Sequence, residues 1–169
     1  MTSRTTGGGA FTPKYAALES AYPAKSVTRA ALFEELGIGA LIDNKAYTNT
    51  CAIRMSYAVT RAGVVLRKGG LKFNKGPYKG MRIEPGMQKL AMHLAELWGD
   101  PEKYLASKDT DIALIMRKGV IAFFFKAVPT SAGAMGHIEL LKPRPFGLSD
   151  SAQTCAFGSN NHVWFWPLD

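Results

Sequence analysis

From Cys51 to about Ala62 the chain reads "CAIRMSYAVTRA", and at helical spacing only Arg54, Ser56, Thr60 and Arg61 are left to face water. A helix that is apolar on most of its circumference cannot lie on a surface, so the fold must wrap other elements around it. The rest of the sequence offers suitable wrapping. "KYAALESAYPAKSVTRAALFEEL" reads as one or two helices interrupted at Pro23, with Leu32, Phe33 and Leu36 on an apolar face and Gly37 as a stop. "GMQKLAMHLAELWG" is an amphipathic helix with Met87, Leu90, Leu94 and Leu97 on one side and Gly99 at its end.

The C-terminal third changes period. "KGVIAFFFKAV", "MGHIELL" and "HVWFWPLD" are strand-like segments joined by Gly, Pro and Ser turns. Helices first and a small antiparallel sheet afterwards predict an α+β domain. At 169 residues the chain is long enough for one such domain, so residues 1–13, rich in Gly and Thr, are expected to be a flexible segment and 14–169 a single domain. "GIGALIDNKAYTNT" reads as irregular, and the Gly- and Lys-rich run from Val64 to Ile83 as a long surface excursion.

Composition excludes several classes of function. No apolar run approaches the roughly 18 residues of a membrane span, so no membrane insertion is expected. Two cysteines, Cys51 and Cys155, are too few for a disulfide framework or a cysteine-based zinc site, and no metal or organic cofactor is expected. The segment "MTSRTTGGGAFTPKY" carries no apolar block after its arginine and does not read as a secretory signal, which predicts a protein made in the cytoplasm. A net charge of +8 favours an anionic partner. The charge is scattered, with no basic helix, zinc-finger spacing or RNA-binding signature, so nucleic acid is not the expected partner.

Chemistry concentrates at two residues. Cys51 stands where a polar, turn-prone stretch becomes a helix, with Asn49 or Thr50 as its N-cap. Free N–H groups and the positive end of the helix dipole there favour a thiolate, and the Cys51 N–H is placed to hold an oxyanion. His137 opens a strand beside small residues and is the candidate partner that holds the thiol proton. Nucleophile helix followed by histidine strand is the papain-like order. A third polar group to orient the imidazole is open among Glu139, Asp150, Asn160, Asn161 and His162. Glu139 lies two residues along the strand, roughly 7 Å further on, a poor distance for a direct bond. His93, on the apolar side of its helix, reads as a satisfied core histidine, and Cys155 as a structural thiol.

"NTCAIRMSYAV" followed by "GHIELL" resembles family four of the type VI secretion amidase effectors, whose members carry a Cys-x-Ile-Arg-Met-Ser-Tyr helix and a Gly-His strand. The resemblance runs from about Asn44 to Trp166. It implies an NlpC-like papain fold, a cysteine amidase that cuts peptidoglycan stem peptides between γ-D-glutamate and meso-diaminopimelate, and export by the type VI apparatus into the periplasm of a target cell. It implies a cognate immunity protein as well. It favours Asp150 as the third catalytic residue, because the family places a Ser-Asp pair after the histidine strand. Members often carry a disulfide in the loop following that strand, whereas this chain has only Cys155 there. Two rival expectations stand beside this one: a phage or housekeeping cell-wall amidase on the same fold, and a basic binding module in which Cys51 is inert.

Overall fold

The computed structural model describes residues 10–126, 128–131, 133–144, 157 and 161–169. Helices α1 (Tyr15–Ala21), α2 (Arg29–Leu36) and α3 (Cys51–Arg61) come first, with short 3-10 turns at Gly39–Leu41 and Lys45–Tyr47. A two-stranded hairpin, β1 (Leu71–Lys72) and β2 (Arg82–Ile83), leads to α4 (Met87–Trp98). There follow β3 (Glu102–Leu105), α5 (Lys108–Leu114), β4 (Gly119–Phe124), β5 (Gly136–Leu141) and β6 (His162–Pro167). The last four strands form one antiparallel sheet in the order β3-β6-β4-β5. This is the α+β architecture expected from the sequence.

Helix α3 sits at the centre. Every residue from Cys51 to Thr60 except Arg54 is buried. One side, through Cys51, Ala52, Met55, Ala58 and Val59, packs with Leu90 and Leu94 of α4 and with the sheet. Ile53 and Tyr57 meet Leu32, Phe33 and Leu36 of α2 together with Phe73 and Ile83. Each fully buried aliphatic side chain of this kind contributes about 1.5–3 kcal/mol.

The sheet explains the unbroken apolar run of β4, all of whose residues are buried. Strand side chains alternate between faces. Val120, Ala122 and Phe124 join the α3 side, and Ile121 and Phe123 pack beyond the sheet with Leu114 of α5 and Phe157. Covered on both faces, β4 has no position for a polar residue.

Three departures from the sequence reading have physical causes. The run from Val64 to Ile83 is not a surface excursion, because Val64, Leu66, Phe73 and Ile83 are buried and its hairpin closes one side of α3. Strand β3 was hidden by its alternating polar residues, which suit a strand at the end of the sheet. Helix α5 carries a readable start: Ser107 accepts a bond from Thr110 N–H at 3.1 Å, and Asp109 and Asp111 lie in its first turn.

Candidate active site

Cys51 is the first residue of α3, and the turn before it is built by Asn49. The Asn49 Oδ1 accepts the Cys51 N–H at 3.1 Å, an Asx turn that closes on the helix start. Its Nδ2 donates to the Gly136 carbonyl at 3.4 Å, so a single side chain ties the cysteine helix to the histidine strand. Thr50, in the cap position, makes no capping bond, and its Oγ1 accepts from Arg54 Nε at 3.2 Å. The oxyanion donor expected at Cys51 is thus engaged by Asn49.

His137 lies on β5, an edge strand against which α3 packs. Gly136 precedes it for a reason of backbone packing. A Cβ there would stand 1.8 Å from the Phe123 carbonyl, so only glycine lets β5 pair with β4 at this point.

Cys51 and His137 lie close enough for the cysteine to raise the imidazole's affinity for its proton. Glu139 Oε2 lies 3.3 Å from the ring's Nε2. The glutamate side chain leans along the strand and closes the gap that the sequence argument judged too long. Burial of the imidazole opposes its charging, but the bonds from Cys51 and Glu139 and their negative charge outweigh it. The His137 pKa is raised from 6.5 to about 10. The second carboxylate oxygen, Glu139 Oε1, is buried with no hydrogen-bond partner among the described residues.

Tyr22 borders the pair. Burial pushes its phenol well above the usual range, and the charges of Glu139 and Cys51 add to this while Arg54 opposes it. It therefore stays protonated, a donor beside the thiol. Arg54 holds this segment by donating to the carbonyls of Ala24 at 3.4 Å and Val27 at 2.5 Å, and Arg61 donates to Ala21 at 3.0 Å.

Cys51 and His137 are thus brought together. Asp150, Cys155 and Asn160 lie outside the described residues. Asn161 instead accepts the Lys126 N–H through Oδ1 at 3.1 Å, and His162 begins β6. His93 is the satisfied core histidine expected: 3% exposed, it accepts the Arg67 N–H at 3.0 Å and has Glu96 at 3.3 Å from Nδ1. Cys51 is a free thiol. Among the described residues no cluster fits a metal ion, and no helix is long and apolar enough to cross a membrane.

A cysteine at the first residue of a buried helix, with a histidine from the edge strand of the antiparallel sheet packed on it, is the papain-like arrangement. The family described as "Type VI secretion system (T6SS), amidase effector protein 4" matches residues 47–166. The chain belongs to this family and is a peptidoglycan amidase effector of type VI secretion. The effector Tae4 from Enterobacter cloacae superposes with a TM-score of 0.72 at 17% identity, covering 96% of this chain and 100% of that one. Tae4 from Salmonella typhimurium, in complex with the immunity protein Tai4 from Enterobacter cloacae, gives 0.68 at 19%, covering 94% and 100%. Both likenesses carry the fold. No curated protein matches the sequence.

Proposed function

We propose that Cys51 and His137 carry out the amidase reaction on the γ-D-glutamyl–meso-diaminopimelate bond of stem peptides. The observation that supports this is the approach of His137 on β5 to Cys51 at the start of α3, with Glu139 Oε2 3.3 Å from the ring. The Cys51 sulfur attacks the γ-carbonyl carbon of D-glutamate while His137 keeps the thiol proton. As the tetrahedral intermediate collapses, His137 gives that proton to the diaminopimelate nitrogen, and the amine leaves. A thioester to D-glutamate remains. His137 then takes a proton from water, which attacks the thioester, and the proton returns to the cysteine sulfur. During attack the substrate oxygen replaces Asn49 Oδ1 at the Cys51 N–H, and the Tyr22 hydroxyl is the nearby protonated donor.

Two carboxylates compete for the role of orienting the imidazole. Glu139 faces Nε2, and Asp150 is the residue favoured by the family's Ser-Asp pair. Glu139→Gln and Asp150→Asn, assayed for stem-peptide cleavage with folding checked, decide which one turnover requires.

Residues 14–169 act as one catalytic domain delivered by the type VI apparatus into the periplasm of a rival cell. There the +8 charge favours approach to the carboxylate-bearing cell wall. A cognate immunity protein, like the Tai4 seen with the Salmonella typhimurium and Enterobacter cloacae effectors, covers the site in the producing cell. Mass spectrometry of digested sacculi tests the reading. Fragments ending in free γ-D-glutamate and beginning with free diaminopimelate are expected from the wild type and absent with Cys51→Ala. Cleavage at another bond, or none, overturns it.

A further inference from the structure

Against the segments that lead into Cys51 and His137 lies a cavity of about 300 Å³, at the lower end of ligand-pocket sizes and large enough for an amino-acid head group. Its walls come from Ala46–Tyr47, just before Cys51, from Gly133–Ala134, just before His137, and from the stretch Glu84 to Lys89. A Cβ at Gly136, the residue before His137, would stand 3.1 Å from the Met87 methyl, which sets this edge of the cavity against the start of the histidine strand. Gln88 Nε2 donates to the carbonyls of Pro129 and Ser131 at 2.7 Å each and holds the opposite wall in place.

Two features of this cavity are unusual together. Glu84 is a carboxylate only 7% exposed, and it has no cationic partner among the described residues. Its backbone is fixed by Ser56, whose Oγ donates to the Glu84 carbonyl and accepts its N–H, both at 3.1 Å. Its Oε1 accepts the Gly86 N–H at 2.9 Å. A charge so buried is costly unless something pairs with it. The second feature is the start of α4, a 12-residue helix with no side-chain cap, whose N–H groups at Met87, Gln88 and Lys89 have no acceptor among the described residues. Such a helix start attracts an anion, and the exposed Lys89 adds a cation at the rim. One wall therefore asks for a cation and the adjoining wall for an anion.

We propose that this cavity is a subsite for an α-amino-acid zwitterion, its ammonium on Glu84 and its carboxylate on the α4 N–H groups with Lys89. The proposal rests on the stem-peptide reading above. Within a stem peptide, the only carbon that carries both an amine and a carboxylate is the distal stereocentre of diaminopimelate, three methylenes from the centre whose nitrogen leaves. The subsite thus makes the enzyme read the residue on the leaving side of the cut, and acylation of the distal amine weakens that reading.

Three soluble peptides test this: one with diaminopimelate, one with lysine in its place, which lacks the distal carboxylate, and one with the distal amine acetylated. Wild-type kcat/KM is expected to fall at least about tenfold for each altered peptide, mostly through KM. In Glu84→Gln the acetylation penalty shrinks below about threefold. In Lys89→Ala, an exposed change that leaves the core untouched, the lysine penalty shrinks in the same way, and this variant carries the test if Glu84→Gln does not fold. A merely structural role for Glu84 would lower activity on all three peptides alike. Equal cleavage of the three by wild type, or full retention of both penalties in folded variants, overturns the subsite and leaves the amidase reading standing. Cleavage of none overturns that reading and the subsite with it.

Discussion

Replacing Glu139 with Gln removes one negative charge from beside His137 and keeps the length of the side chain. At 3.3 Å and an effective dielectric of about 20, the attraction between imidazolium and carboxylate is roughly 5 kcal/mol. Solvent reaches 34% of the His137 side chain and 15% of Glu139, and screening reduces the figure to about 1.5–3 kcal/mol, as for other hydrogen bonds with charged partners. The variant imidazole should therefore bind its proton roughly ten- to a hundredfold more weakly than in the wild type, where the pKa is about 10. The sign for stability follows. A folded-state pKa raised above 6.5 stabilises the native state fully below that pH, and the contribution disappears as pH rises through about 10. In Glu139→Gln it is smaller and is lost at lower pH. An NMR titration of the His137 ring, with urea denaturation at neutral and alkaline pH, measures both effects. If the variant ring titrates within about threefold of the wild type, the electrostatic account of the site is wrong.

Three further outcomes are expected. Cys51→Ala abolishes cleavage and costs stability only about 1 kcal/mol, readable by thermal melting, because it removes a single sulfur atom. Gly136→Ala drives a Cβ into the Phe123 carbonyl and destabilises the β4–β5 pairing by about 3 kcal/mol or more in urea denaturation. Asn49→Ala removes the cap at the Cys51 N–H and the link to Gly136, costing about 1 kcal/mol, and slows iodoacetamide labelling of Cys51 as its distance from His137 loosens.

The buried helix, its start at Cys51 and the three C-terminal strands were legible because each is a local pattern: apolar on nearly all sides, a turn-to-helix boundary, or a run of β-branched and aromatic residues. The pairing of Cys51 with His137 was legible from residue type, chain order and resemblance. That Glu139 reaches the imidazole was not. Whether Glu139 reaches its neighbour two positions away depends on how side chains lean along an edge strand, and spacing alone does not contain that. Nor could the sequence show that Asn49 engages the Cys51 N–H or that Gly136 answers to a carbonyl on another strand, since both needs arise only when β5 is set against β4 and α3. The cavity is the clearest case. Glu84 is an ordinary acidic residue in the sequence, and only the packing of Ser56 behind it and α4 beside it makes it a buried charge facing an open space.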